Sequence, residues 1–199
     1  LPKRWLLMCC QDKSNPSSYV VLPVALNPHK TAFSLACVSD GHGGAPYFRS
    51  HKGAEFAVQT TIELLSESID KIALALEKKE YARLNANLSA SFVRRWMQKV
   101  MEDVAGTDRA AFEKELDELR QTDERAWMVY CDELDSAYAL ATQYVSLCRN
   151  PAEKGEGKEQ VSLDKEFSKL DIKSIYGCTI AAYFRIKDTP LWYAFKVGL

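Results

Sequence analysis

The stretch Ala36–Gly44, which reads ACVSDGHGG, decides the fold of this chain because the pattern of apolar residues changes there. Before it, β-branched and aromatic residues cluster between turn signals, as is typical of β-strands. After it, apolar residues recur at helical spacing. We therefore predict that a buried strand ends at Asp40 and that the glycines, which tolerate tight turns, lead into a long helix.

Three strands are predicted before the helix. They are Trp5–Cys10, Tyr19–Leu26 and Ala32–Ser39, and the segments between them, Asp12–Ser18 and Asn27–Lys30, carry turn-forming residues. Parallel pairing would need longer crossover connections than these turns provide. The sequence therefore predicts an antiparallel meander.

A block of helices is predicted after the glycines. Apolar spacing indicates a first helix from Ala54 to about Leu76, followed by helices at Glu80–Val104, Ala110–Leu119 and Glu124–Cys148. Large aromatic side chains at helical spacing are typical of packing between helices, although an insertion that docks a substrate or partner is an alternative. The aromatic residues concerned are Phe92, Trp96, Trp127, Tyr130 and Tyr138.

The last quarter of the chain returns to strand composition. The polar stretch Glu153–Gln160 predicts a surface loop, and Gly177–Ile186 and Leu191–Val197 predict two strands that form a hairpin. The order of strands, helices and strands predicts an α+β fold, with helices on the face of a mainly antiparallel sheet.

Composition narrows the functional classes. The chain has 199 residues, with 26 Lys and Arg against 27 Asp and Glu, so no overall positive charge favours nucleic acid or an anionic membrane as a partner. Its apolar runs are far shorter than the roughly 20 residues of a membrane-spanning helix, and Leu1–Arg4 lacks the features of a signal peptide. Six cysteines without metal-ligand spacing predict buried free thiols in a reducing compartment.

Residues Asp40 to Gly44 form the densest group of side chains that could perform chemistry. A carboxylate at a strand end can bridge hard cations, and neighbouring glycines let backbone carbonyls approach a metal. His42 could protonate a leaving group. From the residues alone, an alternative is that Asp40 caps the turn and His42 is an exposed loop residue.

Four segments, in order, resemble the protein phosphatase 2C family of metal-dependent serine/threonine phosphatases. Ala36–Gly44 resembles the family's strand and metal-binding turn, whose motif reads DGHGG. Tyr47–Ser50 and Gly53–Glu55 resemble the bacterial branch. Cys10–Asp12 is similar to a CQD segment on the first strand, and Tyr176–Thr179 is similar to a later strand entry that reads G-[SC]-T.

The resemblance implies an α-β-β-α sandwich of antiparallel sheets flanked by helices. This chain would be its incomplete N-terminal portion, residues 1–199, with an enlarged helical block. The expected segments are strands within 5–39, helices within 50–148, a loop at 151–162 and strands within 176–197.

The resemblance also implies an activity, namely hydrolysis of phosphoserine and phosphothreonine in proteins by a metal-activated water, with two Mg²⁺ or Mn²⁺ ions. Asp40 would bridge the ions, Gly41 would offer its carbonyl, and Asp12 would support the site through water. His42 would protonate the leaving alkoxide. The partner would be a phosphorylated protein, and the branch resemblance predicts a bacterial cytoplasmic enzyme.

Three departures from the family pattern qualify these expectations. Gln11 stands where the family often has an acidic residue, and Leu6–Met8 stands where many members have an arginine that holds phosphate. Arg4, Arg49 or Lys3 are therefore the candidates for holding phosphate. The chain also ends before the family's later metal-binding aspartates, so we predict that residues 1–199 alone bind metal poorly and turn over little or no phosphate.

Two rival functions and one interaction remain open from the sequence. The first rival is a non-catalytic binding or regulatory relative, and the second is a helical interaction domain in which DGHGG occurs by chance. Because an incomplete sheet has unpaired edges, intermolecular strand pairing is a further prediction.

Overall fold

The computed structural model describes residues 7–12, 15–24, 33–149 and 158–199. The strands in these ranges are β1 (Leu7–Asp12), β2 (Asn15–Val24), β3 (Phe33–Gly41), β4 (Cys178–Ile186) and β5 (Trp192–Gly198). The helices are α1 (Ser50–Glu77), α2 (Tyr81–Gly106), α3 (Arg109–Arg120), α4 (Glu124–Arg149) and α5 (Lys158–Phe167). Two short 3-10 helices, Ala45–Tyr47 and Asp171–Tyr176, precede α1 and β4.

The five strands form one antiparallel sheet in the order β1-β2-β3-β4-β5. The predicted meander of the first three strands and the C-terminal hairpin are therefore confirmed. The predicted turn Asp12–Ser18 was too long, because the ladder begins with Asp12 opposite Asn15. Cross-strand pairing in β2 outweighs the turn preference of the Asn, Pro and Ser residues at its start.

Among the described residues, helices cover one face of the sheet and leave the other open. Along β3, buried and exposed residues alternate, and Phe33, Leu35 and Cys37 lie on the covered face. Large apolar residues on the open face include Val38 and Tyr183, each 44% exposed, and Trp192, which is 61% exposed. The α+β prediction is confirmed, and the described residues form a layer of helices on a single sheet.

Helix α1 lies directly on the sheet and extends for about 42 Å over its 28 residues. Small residues such as Ala54 and Ala57 are fully buried, which lets the helix approach the strands closely. Helix α2 packs on α1, and α4 packs on both α2 and α3. Phe92 and Trp96 are buried, in agreement with the predicted role of these aromatic residues in packing.

Helix α5 corrects the predicted loop. Part of that loop, 151–157, lies outside the described residues, but 158–162 belong to α5. Leu163 and Phe167 stand four residues apart and are buried, so one face of this short helix contributes to the core. The prediction was wrong here because polar residues dominate the start of the helix.

The cysteines are divided between the interior and the surface. Cys37 and Cys178 are buried, as predicted, whereas Cys131 and Cys148 are exposed on α4, so the prediction was wrong for this second pair. The side chains of Cys9 and Cys10 lie outside the described residues. None of the helices in the described ranges has the length and apolar character needed to cross a bilayer.

Candidate functional site

Asp40 lies at the end of β3 on the open face of the sheet. Its ladder partners are Ser17 on β2 and Thr179 on β4. The preceding Ser39 points into the protein, where its hydroxyl donates to the Thr179 carbonyl at 3.0 Å. Since side chains alternate along a strand, the buried Ser39 leaves the carboxylate of Asp40 exposed on the opposite face.

The strand register brings the backbone position of Asp12 to the same end of the sheet. Cys10 pairs with Ser17, which in turn pairs with Asp40. Paired residues share a face, as do residues two apart on one strand, so position 12 is on the face that carries Asp40. Strands β1 and β3 are two strand spacings apart, or about 10 Å. Two of the predicted metal-site positions thus occupy one end of one face.

Gly41 joins the end of β3 to the start of α1. A Cβ atom at this buried position would lie 2.7 Å from the Ser50 hydroxyl oxygen and 3.0 Å from the Ser50 carbonyl carbon. The hydroxyl can rotate, but the approach to the backbone carbon is tighter than most real Cβ contacts, so a side chain here would crowd the start of α1 and glycine is favoured. Gly44 has a φ of 108°, which also favours glycine and reverses the chain before the 3-10 helix Ala45–Tyr47.

His42 is half-buried and held from two sides. Its backbone N–H donates to the Gly177 carbonyl at 2.9 Å, and its ring packs edge-on against Tyr47, with 5.2 Å between the ring centroids. A side chain at position 177 would lie 2.6 Å from the His42 Nδ1 atom. The segment before β4 therefore fixes the histidine, which does not behave as an exposed loop residue. Its role as a proton donor stays a prediction.

Arg49 is buried, with 3% of its surface exposed, at the point where the turn enters α1. Its Nε and Nη2 atoms donate to the two oxygens of Glu115 at 2.6 and 2.9 Å. Its Nη1 atom donates to Asp103 at 3.0 Å, to the Thr107 hydroxyl at 3.0 Å and to the Tyr176 hydroxyl at 3.1 Å. This geometry speaks against the predicted phosphate-binding role of Arg49, because the protein itself engages the guanidinium.

The pKa values of two side chains near Arg49, Tyr176 and His51, are shifted from their ordinary values. Burial raises the pKa of Tyr176 well above its ordinary value, so its hydroxyl keeps its proton and can donate to Asp103. Burial also lowers the pKa of His51, and the adjacent Lys52 and Arg49 lower it further. Arg4, the other predicted phosphate ligand, lies outside the described residues.

The candidate donor atoms at this end of the sheet are oxygens, and the described residues supply only part of a cation site. Asp40 offers an exposed carboxylate, the donor that Mg²⁺ and Mn²⁺ prefer, and the close packing at Gly41 fixes the backbone beside it. Within the described ranges, no group of three or more His, Cys, Asp or Glu side chains could hold a metal ion. The donor set fits a hard divalent cation but needs further ligands.

The residues that hold Arg49 beside the turn could not be predicted from the sequence. Asp103 and Glu115 contact Arg49 across 54 and 66 residues of sequence, and no local pattern links residues so far apart. The contact between Gly41 and Ser50 had a signal, because a glycine at a strand end next to a small residue at a helix start permits close approach.

The match to a known protein family extends over nearly the whole chain. A family model described as "Protein phosphatase 2C" matches residues 8–195, from β1 into β5. No curated protein and no solved structure matches the chain.

Proposed function

Because the chain belongs to the protein phosphatase 2C family, we propose that it takes part in metal-dependent hydrolysis of phosphoserine and phosphothreonine in proteins. The observation that carries this proposal is the exposed carboxylate of Asp40 at the end of β3, beside Gly41, where an added Cβ would crowd Ser50. The register, which puts position 12 at the same end of the same face, supports it.

The proposed metal ligands are Asp40, the carbonyl of Gly41 and, through water, Asp12. A distance of about two strand spacings between β1 and β3 suits an indirect role for Asp12 better than a shared ion. Two Mg²⁺ or Mn²⁺ ions, when bound, would activate a water and neutralise charge on the phosphoryl oxygens. His42, fixed by Gly177 and Tyr47, would hold the proton that the departing alkoxide of serine or threonine needs.

The open face of the sheet supports the finer proposal of a two-sheet sandwich. Val38, Tyr183 and Trp192 are exposed on it, and the rings of the last two residues lie 6.0 Å apart. A shallow cavity of about 610 Å³ lies on this face over Ala36, Val38 and Ala181. Exposed apolar surface of this kind is normally covered in a folded protein. We propose that a second sheet covers it and supplies the remaining metal ligands.

The test is a titration with MnCl₂ of ¹⁵N-labelled protein, followed by NMR. Paramagnetic broadening reports weak binding residue by residue. We expect selective broadening of the amides of residues 40–44, and its loss in Asp40→Asn. Asp132→Asn, which changes an exposed aspartate on α4, is the matched control and should broaden as the wild type does. Equal broadening of residues 40–44 in Asp40→Asn would refute the metal assignment.

A second candidate function, a non-catalytic binding or regulatory module, is favoured by one observation. Arg49 is occupied by Asp103 and Glu115, and residues Leu6–Met8 contain no arginine, so the described residues provide no arginine for phosphate beside Asp40. Metal-dependent hydrolysis of p-nitrophenyl phosphate, lost in Asp40→Asn and measured on the chain together with any sequence that follows residue 199, would decide for the enzyme. Metal binding without turnover would decide for the module.

A further inference from the structure

Arg49 connects three parts of the protein at the entrance to α1. Asp103 lies on α2, Glu115 on α3, and Tyr176 at the end of the 3-10 helix before β4. The guanidinium also lies over the ring of Phe112, 4.2 Å from its centroid. A single buried side chain at the start of α1 thus joins α2 and α3 to the 3-10 helix before β4.

Each polar group in this cluster is paired. The Tyr176 hydroxyl accepts from Arg49 and donates to Asp103 at 2.7 Å, and Lys52 also donates to Asp103, at 2.9 Å. Arg49 binds Glu115 through two parallel hydrogen bonds, which fix both the orientation of the guanidinium and its distance from the carboxylate. Burying ions costs free energy that their attraction often only offsets, so such a cluster contributes more to geometry than to stability.

The cluster is linked to the turn by short backbone contacts. The N–H of Arg49 donates to the carbonyl of Ile175 at 3.2 Å, close to where the N–H of His42 donates to Gly177 at 2.9 Å. The residue after Arg49 is Ser50, against which Gly41 packs. Movement of Arg49 would therefore disturb Gly41 from one side and the support of His42 from the other.

We propose that Arg49 is a positioning residue, through which helices α2 and α3 hold the Asp40–Gly41 turn in the geometry that binds a divalent cation. This inference rests on the proposed function, since it concerns the same cation site. In this proposal, the helical block stabilises the geometry of the site.

The experiment compares two carboxylates that each accept from an arginine at 2.6 Å. Glu115→Gln removes the charge facing Arg49, whereas Glu67→Gln removes the charge facing Arg95 on the outer surface of α1 and α2. Arg49→Lys is a second test variant, because lysine keeps the charge but cannot form the two parallel bonds. Glu115 is 42% exposed in its side chain, so its change leaves the protein folded more readily than loss of Arg49 would.

Two readouts are taken on the 199-residue chain. Amide hydrogen exchange is measured without metal at His42, Tyr47 and Arg49, the three turn amides with backbone partners. The apparent Kd for Mn²⁺ is measured from NMR broadening at residues 40–44. We expect Glu115→Gln and Arg49→Lys to accelerate exchange at these amides by about tenfold and to weaken Mn²⁺ binding by about 10- to 100-fold. In both test variants, the exchange rates of amides in β3 and β4 should match the wild type. In Glu67→Gln, both the exchange rates and the Mn²⁺ affinity should match the wild type.

Several results would overturn the proposal. Unchanged exchange at the three amides in both variants would mean that Arg49 does not hold the turn. Faster exchange throughout β3 and β4 would instead reveal a general loss of stability. Faster exchange at the turn with unchanged Mn²⁺ affinity would show that Arg49 holds the turn but does not affect cation binding. If a large excess of MnCl₂ causes no selective broadening at residues 40–44 of the wild type, the proposed function fails and the positioning of a cation site fails with it, whereas the exchange rates alone still report whether Arg49 holds the turn.

Discussion

Replacement of Gly41 by alanine should destabilise the junction between β3 and α1. The added Cβ would lie 2.7 Å from the Ser50 hydroxyl oxygen, 3.0 Å from its Cβ and 3.0 Å from its carbonyl carbon. The hydroxyl can rotate away, but the carbonyl carbon belongs to the first turn of α1 and can move only with the helix. Overpacking of this kind costs about 1–3 kcal/mol.

Urea unfolding followed by circular dichroism measures the effect. With an m-value of about 2 kcal/mol/M, a loss of about 1–3 kcal/mol lowers the unfolding midpoint by about 0.5–1.5 M. Gly43→Ala is the control, because nothing lies within 4 Å of a Cβ at that position two residues away. Its midpoint should change by less than about 0.3 M, which corresponds to the usual range of about 0.5 kcal/mol for surface changes.

A double variant identifies the contact responsible. Ser50→Ala removes the hydroxyl but leaves the Cβ and carbonyl carbon, so Gly41→Ala/Ser50→Ala should recover only a small part of the loss. Full recovery would show that only the hydroxyl obstructs position 41. A midpoint for Gly41→Ala equal to that of Gly43→Ala would refute the close approach of strand and helix altogether.

Three further predictions follow from buried and edge groups. Trp96→Phe removes the bond from its indole N–H to the Gly53 carbonyl at 2.9 Å, and because both groups are buried the free energy of unfolding should fall by about 1–3 kcal/mol in urea titrations. Burial raises the pKa of the Cys178 thiol to about 12, above the value near 9 of an exposed thiol. The unfolded chain therefore releases this proton first, and stability present below pH 9 should decline as the pH rises towards 12; Cys178→Ala should show a shallower decline in pH-dependent unfolding. Strand β5 has one ladder partner, β4, among the described strands, so light scattering at high concentration should detect dimers, and Ala194→Pro, which interrupts that edge, should reduce them.

The junction between β3 and α1 could be predicted because its signals are local. Alternating apolar residues up to Ser39, the glycines after Asp40 and helical spacing from Ala54 all lie within a few residues of each other. Helix α1 begins at Ser50, at the start of the predicted helical block, whereas apolar spacing marks it only from Ala54. The first residues carry no such spacing because Arg49 and Ser50 are buried by contacts with distant segments rather than by their own hydrophobicity.

The start of β2 and helix α5 escaped prediction for a related physical reason. Asn15 and Pro16 have turn preferences, yet pairing with β1 places them in a strand. Helix α5 begins with charged residues and is held by Leu163 and Phe167 near its end. In both segments, tertiary contacts outweigh the local composition.

Arg49 shows why a site residue cannot be assigned from residue type and position alone. The same planar fork that binds phosphate through two bonds also binds a carboxylate through two bonds, so an arginine nine residues after Asp40 satisfies either interpretation. What decides between them is the position of Asp103 on α2 and Glu115 on α3, which the chain reaches only after the long helix α1. Because these carboxylates already neutralise Arg49, a phosphate there would have to displace a paired anion from a buried site. A phosphate bound beside Asp40 would therefore depend on the proposed metal ions and on residues other than Arg49 for its countercharge.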